Sequence, residues 1–276
     1  MDGTIVAAIA AREARAAVRS KWFVLYAVLF AVLSVGFSIV AMGGSPLTGE
    51  PGFGRTSAGL LNLMLLMVPL IGLTVGAQSL VGERQDQSLE YLLAQPVSAA
   101  EVFLGKYLGA ALSLVVTLLL GFGCAGTVLA IRGGSAGVGD FALLVALTLL
   151  LGLGALSLGY LISSFTAQMS AALGIAITLW LAFVIVGDLG LMGSAMVMDL
   201  SPETLLTLTL LNPLDVYKLL SVDQLQASLD VLGPAGAYAM ERFGRALVPT
   251  LLGVLALWVL APLPVGYRLF TRTDVR

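Results

Sequence analysis

"GERQDQSLEYLLAQPVSAAEVFLGKYLG", residues 82–109, carries six charges and lies between two hydrophobic segments long enough to cross a bilayer. Leu89, Leu92 and Leu93 fall on one helical face, Glu83, Arg84, Asp86, Gln87 and Glu90 spread over the rest, and Pro96 ends the run. The pattern predicts a short amphipathic helix over 83–95. A second helix, starting in "VSAAEVFLGKYLG", leads back to the apolar stretch that follows. Ser98, three residues before Glu101, forms a capping box at its start, and Gly105 and Gly109 give it a GxxxG face for close helix contact.

The surroundings of this passage decide the class of protein. The 276 residues are 59% hydrophobic and only 11% charged, where a soluble domain carries about 25% charged residues. Hydrophobic stretches of 18 residues or more recur along the chain, so the reading is an all-α polytopic membrane protein. Six spans are expected: about Trp22 to Met42, Gly59 to Val81, Tyr107 to Ile131, Phe141 to Ile162, Met169 to Val186 and Ala246 to Gly266. A Gly/Pro-rich loop, "GGSPLTGEPGFGR", follows the first, and only "SSFTAQ" separates the fourth from the fifth. The start does not read as a cleavable signal peptide, because its first long apolar run begins only at Trp22 and has no small-residue cleavage site in range.

Residues 1–21 are Ala-rich, with Arg12, Arg15 and Arg19 on one face, which predicts an amphipathic surface helix before the first span. Lys and Arg divide unequally between the two sides. Arg12, Arg15, Arg19, Lys21, Arg84, Lys106, Arg268, Arg272 and Arg276 fall on one, and Arg55, Arg132, Lys218, Arg242 and Arg245 on the other. Nine against five puts both termini, and residues 82–109, in the cytoplasm. Residues 187–245 then form a helical periplasmic segment. Within it "SPETLLTLTLL" carries Ser201 as N-cap and Pro202 at the first helical position, and "NPLDVYKLLSVDQLQASL" repeats the pattern with Asn212 and Pro213. These helices are too charged to span and too apolar to float free, so they should lie on the outer surface or pack on a partner. No nucleic-acid footprint is present.

The passage at 82–109 resembles the signature loop of the ABC-2 family of ABC-transporter permeases. In that family an acidic start, a Thr/Ser-Leu-Glu triplet, a Leu-Leu pair, Pro-Val-Ser and Gly-Lys recur in this order. Where the family pattern usually has Gly-Thr before Leu-Glu, this chain has Gln87 and Ser88. The resemblance extends over the whole topology, from the surface helix at the start to the aromatic and basic ending "YRLFTRTDVR", and implies one ABC-2 transmembrane domain over 1–276. The long outer segment and "LGLMGSAMVMDL" are most similar to the branch that serves assembly of nitrous oxide reductase. The resemblance implies that residues 83–95 are a coupling helix seated in a cleft of a separate cytoplasmic ATPase. Two copies of that ATPase would bind ATP and Mg, and this chain would pair with a second copy of itself in the bacterial inner membrane. Leu89, Leu92 and Leu93 would seat the contact, and Glu83, Arg84, Asp86, Ser88 and Glu90 would orient it, by helix-in-groove docking. Ser163, Ser164, Phe165, Thr166 and Gln168 fall where the family makes a second cytoplasmic contact. A periplasmic accessory protein would dock on 187–245.

The alternative for 83–95, an amphipathic loop lying on lipid headgroups, would normally be rich in Lys and Arg; here three acids stand against Arg84 before Pro96. No G-x-x-x-x-G-K-[ST] occurs, so the chain is expected to lack a P-loop ATPase site and to bind no cofactor of its own. A stand-alone secondary transporter would need a coupling carboxylate buried in a span, and none is evident. A membrane enzyme would need a nucleophile with its base or a metal cluster, whereas the chain has no His and only Cys124. "GVGD", residues 137–140, matches a motif of intramembrane aspartyl proteases, but Asp140 has no second span carboxylate to share a site with and reads as a helix cap. Met192, Met196 and Met198 would make a thioether copper site, although methionine in apolar helices more often fills space. Asn62 and Gln78, ahead of Thr74 and Ser113, are candidates to line a substrate path, against the ordinary reading of interhelical hydrogen bonds.

Overall fold

A computed structural model describes residues 2–19, 21–43, 53–133, 138–197, 201–224 and 233–274. Among the described residues all regular structure is helical, and the order is α1 (Gly3–Arg19), α2 (Lys21–Gly43), α3 (Phe53–Gln85), α4 (Ser88–Leu93), α5 (Ala99–Gly133), α6 (Val138–Phe165), α7 (Met169–Val197), α8 (Pro202–Leu210), α9 (Pro213–Gln224), α10 (Gly233–Phe243), a 3-10 turn (Gly244–Ala246), α11 (Leu247–Leu260) and α12 (Pro262–Asp274).

Five stretches are long and apolar enough to cross a membrane: Leu61–Gln85, Ala99–Val128, Val138–Phe165, Met169–Gly187 and Tyr238–Thr273. They carry the second to sixth expected spans. The first expected span lies on the 23-residue helix α2, whose described apolar part is Ala27–Gly36. α8 and α9 also qualify when taken as one, but they are bent by 107°. The helices overrun the expected limits because the chain does not uncoil at the bilayer surface. α3 and α5, at 33 and 35 residues, exceed the ~20 residues that span the hydrocarbon core.

The centre of the molecule is the α3–α6 pair. A Cβ added at Gly72 would lie 2.7 Å from the Gly152 carbonyl oxygen, and one at Gly76 or Gly159 would overlap the backbone of the facing helix at Leu156 or Leu73. Where the hydrophobic effect gives no net drive between helices, this backbone-to-backbone approach supplies the packing energy instead. α5 packs beside the pair through Leu114 and Leu118, and α2 covers α5 by setting Phe30 into the space over Gly121, edge-on to Phe122 at 5.3 Å.

The segment of α8 and α9 is anchored more deeply than the sequence implies. Ser201 caps α8 by accepting from the Thr204 backbone N–H at 3.3 Å. Asn212 caps α9 by accepting from the Leu214 N–H at 3.0 Å, and its amide donates to the Phe183 carbonyl on α7 at 2.8 Å. α9 does not rest on the surface. Val216, Tyr217 and Leu220 are fully buried, and the Tyr217 hydroxyl bonds Thr148 on α6 at 2.8 Å. Its apolar face is therefore covered by this chain's own helices.

Candidate functional site

The passage at 82–109 is a hairpin between α3 and α5, and it is built differently from one continuous amphipathic helix. α3 runs on through Glu83 and Arg84 to Gln85, and the chain turns at Asp86–Gln87. Gln87 takes a φ of 58°, in the left-handed region that favours glycine. It stands where the ABC-2 loop pattern usually has glycine. α4 then holds only Ser88–Leu93. The predicted capping box is present: the Glu101 N–H donates to Ser98 Oγ at 3.3 Å and the Ser98 N–H to Glu101 Oε2 at 2.9 Å.

The leucine stripe faces inward. Leu89 is fully buried in this chain's core, and Leu92 and Leu93 are half-buried against it. What the hairpin offers outward is Tyr91, 74% exposed, with Gln85, Asp86, Gln87 and Ala94–Pro96. Ser88 and Glu83 are half-buried, and Glu90 lies on α4. The α6–α7 turn divides in the same way. Ser163, Ser164 and Thr166 are buried, while Phe165, 48% exposed, and Gln168 point out.

Four ties fasten the hairpin to the rest of the molecule. The Arg84 guanidinium donates through Nη1 to the Ser163 carbonyl at 3.3 Å and to that of Thr166, while Ser163 Oγ accepts from the backbone N–H groups of Leu80 and Val81 at 2.8 and 3.0 Å. Hairpin and α6–α7 turn are thus one bonded unit. Next, Gly105 and Gly109 face α1 within this chain: an added Cβ would come to 2.7 Å from Ile9 Cβ at the first and from the Ala10 carbonyl oxygen at the second. Asp2 caps α1, accepting from the hydroxyl and backbone N–H of Thr4, which together hold its carboxyl below the ordinary range. The Asp2 N–H in turn donates to Glu101 Oε1 at 2.6 Å.

The third tie is ionic. Lys106 is 1% exposed, and its ammonium lies 3.0 Å from Glu13 Oε2 on α1 and 2.9 Å from Glu83 Oε1 on α3. The fourth is aromatic. Phe103 packs on Tyr160 of α6 at 4.9 Å and on Tyr267 and Phe270 of α12 at 5.5 and 5.6 Å, and the Tyr160 hydroxyl donates to the Phe103 carbonyl at 2.9 Å. Sequence reasoning missed the inward role of Lys106, Glu13, Phe103 and Tyr160. The Gly-Lys pair and the aromatic ending were visible, but their partners lie on other helices.

Both polar candidates within the spans line cavities, on opposite ends of α3. Asn62 borders one of about 360 Å³ with Phe183, Asp215 and Lys218, and Gln78 borders one of about 300 Å³ with Ser79, Glu83 and Ser113. Thr74 donates to a carbonyl of its own helix, that of Leu70 (2.7 Å), and Ser113, while lining the second cavity, donates to that of Gly109 (2.9 Å). Asp140 sits in the first turn of α6. Of the methionines, Met192 and Met196 ride on α7 and Met198 lies outside the described residues. Among the described residues no group of three or more His, Cys, Asp or Glu is placed to hold a metal ion.

The family model described as ABC-2 family transporter protein matches residues 7–275. The chain belongs to the ABC-2 transporter family. Among its relatives are two proteins each described as "Probable ABC transporter permease protein NosY". The one from Pseudomonas aeruginosa is 33% identical over 280 aligned residues, covering 98% of this chain and 99% of its own. The one from Stutzerimonas stutzeri is 32% identical over 231, covering 82% and 84%. An ABC-2 permease implies an ATPase partner.

Proposed function

We propose that this chain is the permease subunit of a bacterial inner-membrane ABC transporter, with both termini and the hairpin in the cytoplasm, in which the hairpin is the coupling element. The observation that carries the reading is the division of labour in the hairpin. Its apolar stripe and charged root are spent on bracing it within the chain, which leaves Tyr91 as a large exposed side chain at the tip of α4. Exposed aromatics of this kind are common anchors of protein contacts. Tyr91, Gln87 and Asp86, with Phe165 and Gln168 from the bonded α6–α7 turn, form the face offered to the ATPase. Leu89, Leu92 and Leu93 support that face from behind. Two copies of the chain with two ATPase subunits, which hold ATP and Mg, complete the transporter.

The match to the two NosY relatives, over 98% and 82% of this chain, supports a more specific role in maturing the copper-sulfur centre of nitrous oxide reductase, by export of a sulfur species or by force transmitted to an outer partner. The α9 face is already occupied, so a periplasmic accessory protein would meet Glu203, Thr207, Leu208 and Leu211 on and beside α8, and Met240 on α10. No methionine copper site enters this account.

The test is purification of the complex in mild detergent. Wild-type chain should bring down an ABC ATPase whose turnover it stimulates. Tyr91→Asp should lose that ATPase while the chain keeps its helical content and melting temperature. Full ATPase recovery and stimulation with Tyr91→Asp would remove the hairpin from the coupling role.

A further inference from the structure

The half-open cavity of about 300 Å³ beside Gln78 is lined by α1 (Glu13, Ala16, Ala17), α3 and α5. Along α3 its lining changes in one direction, from Ile71 and Val75 through Gln78 and Ser79 to Glu83 and Asp86 at the hairpin. That run rises about 22 Å at 1.5 Å per residue, close to one leaflet with its headgroups, half of the ~40–45 Å bilayer. The charge is one-sided. Glu13, Glu83 and Asp86 line the space, and the nearby cation, Lys106, is already engaged by the first two. In two of the lining residues a polar atom, Glu83 Oε2 and Ser79 Oγ, is buried with no hydrogen-bond partner. A buried carboxylate oxygen without a donor is costly, and the apolar wall of Ile71, Val75 and Leu114 offers a chain of waters no partners.

We infer that this cavity binds an amphiphile with an ammonium headgroup, its N–H donors on Glu83 and Asp86 and its apolar tail along Ile71, Val75 and Leu114. The order of chemistry along α3 is that of an aminophospholipid: ammonium outermost, then the hydrogen-bond-accepting phosphate and esters at Gln78 and Ser79, hydrocarbon within. A headgroup of net negative charge, with no ammonium to meet Glu83 and Asp86, would be set against three carboxylates. A quaternary ammonium would lack the N–H that Glu83 Oε2 needs.

The test uses the full chain in nanodiscs of equal parts phosphatidylethanolamine, phosphatidylcholine and phosphatidylglycerol, released into native mass spectrometry. Phosphatidylethanolamine should be retained over the other two by roughly tenfold or more, the discrimination of one charge-assisted hydrogen bond. Ser79→Leu, which fills the cavity, and Asp86→Asn, which removes one carboxylate at its end, should each reduce the preference, with the melting temperature reporting that both variants stay folded. A parallel titration with octylammonium separates the sources. Binding of one octylammonium per chain, lost in Ser79→Leu, without any lipid preference, would assign the site to a soluble amine and keep the chemistry. Equal retention of all three lipids with no octylammonium binding, or a preference unchanged in both variants, would overturn the inference and leave a water-filled space.

Discussion

Two residues near the hairpin carry opposite kinds of strain. Gln87 holds a left-handed backbone that costs a non-glycine residue roughly 1–2 kcal/mol, partly offset because glycine loses more freedom on folding. Gln87→Gly should therefore stabilise the turn by up to about 1 kcal/mol, visible as slower proteolytic nicking at 86–96. Faster nicking would contradict the reading of that backbone. Lys106 is held by two carboxylates, and removing its charge leaves Glu13 and Glu83 facing each other with no cation between them. Lys106→Met should cost about 3 kcal/mol, since stranding buried charge is worse than replacing a whole ionic group. The triple change Glu13→Gln, Lys106→Met, Glu83→Gln should recover most of the lost melting temperature. Equal melting of single and triple variants would remove the ionic node from the stability account. The sequence could not show this node. A lysine near a span end ordinarily extends to the headgroups, whereas the burial of Lys106 depends on two acids brought in by other helices.

At the scale of elements, the hairpin's existence and rough limits were legible from period and punctuation: leucines at helical spacing, Pro96 as a stop, Ser98 and Glu101 as a start. What the leucines face was not, because a hydrophobic stripe gives a direction and not the body that covers it. The break at Gln87 was equally hidden, since glutamine does not mark turns. The GxxxG face at Gly105 and Gly109 was readable as a close-contact surface, and its partner proved to be the chain's own first helix. Gly105→Leu should push α1 off α5 and expose the Lys106 group. The expected readout is faster hydrogen exchange across residues 3–19, with the α3–α6 core unaffected. Unchanged exchange there would mean that α1 is not held at this face. The outer helices followed the same rule. The Ser201 and Asn212 caps were readable locally, but the depth of α9 depends on Tyr217 finding Thr148 on α6, which no local pattern encodes.

At the scale of the molecule, ties from the hairpin reach α1 and α12 as well as α3 and α6, and the last two are joined along the glycine-lined seam. A push on α4 would be shared among several membrane helices, as the proposed coupling role requires. The seam is the point most sensitive to volume. Gly159→Val would force its side chain into the Leu73 backbone and should cost 1–3 kcal/mol or prevent folded expression, read as the loss of a monodisperse purified species. Membrane class and family were legible because composition and the 82–109 signature are carried by the chain itself. Which faces remain free for partners depended on the packing of all the helices together.

The central claim is that the tip of the hairpin touches a cytoplasmic ATPase. A photo-reactive phenylalanine analogue placed at Tyr91 in the intact complex tests this most directly. The account predicts an ultraviolet-induced adduct between this chain and the ATPase subunit, absent when the analogue is moved to the outer position Leu211. An adduct at Leu211 and none at Tyr91, or labelling of position 91 by a membrane-impermeant reagent from the periplasmic side, would contradict it.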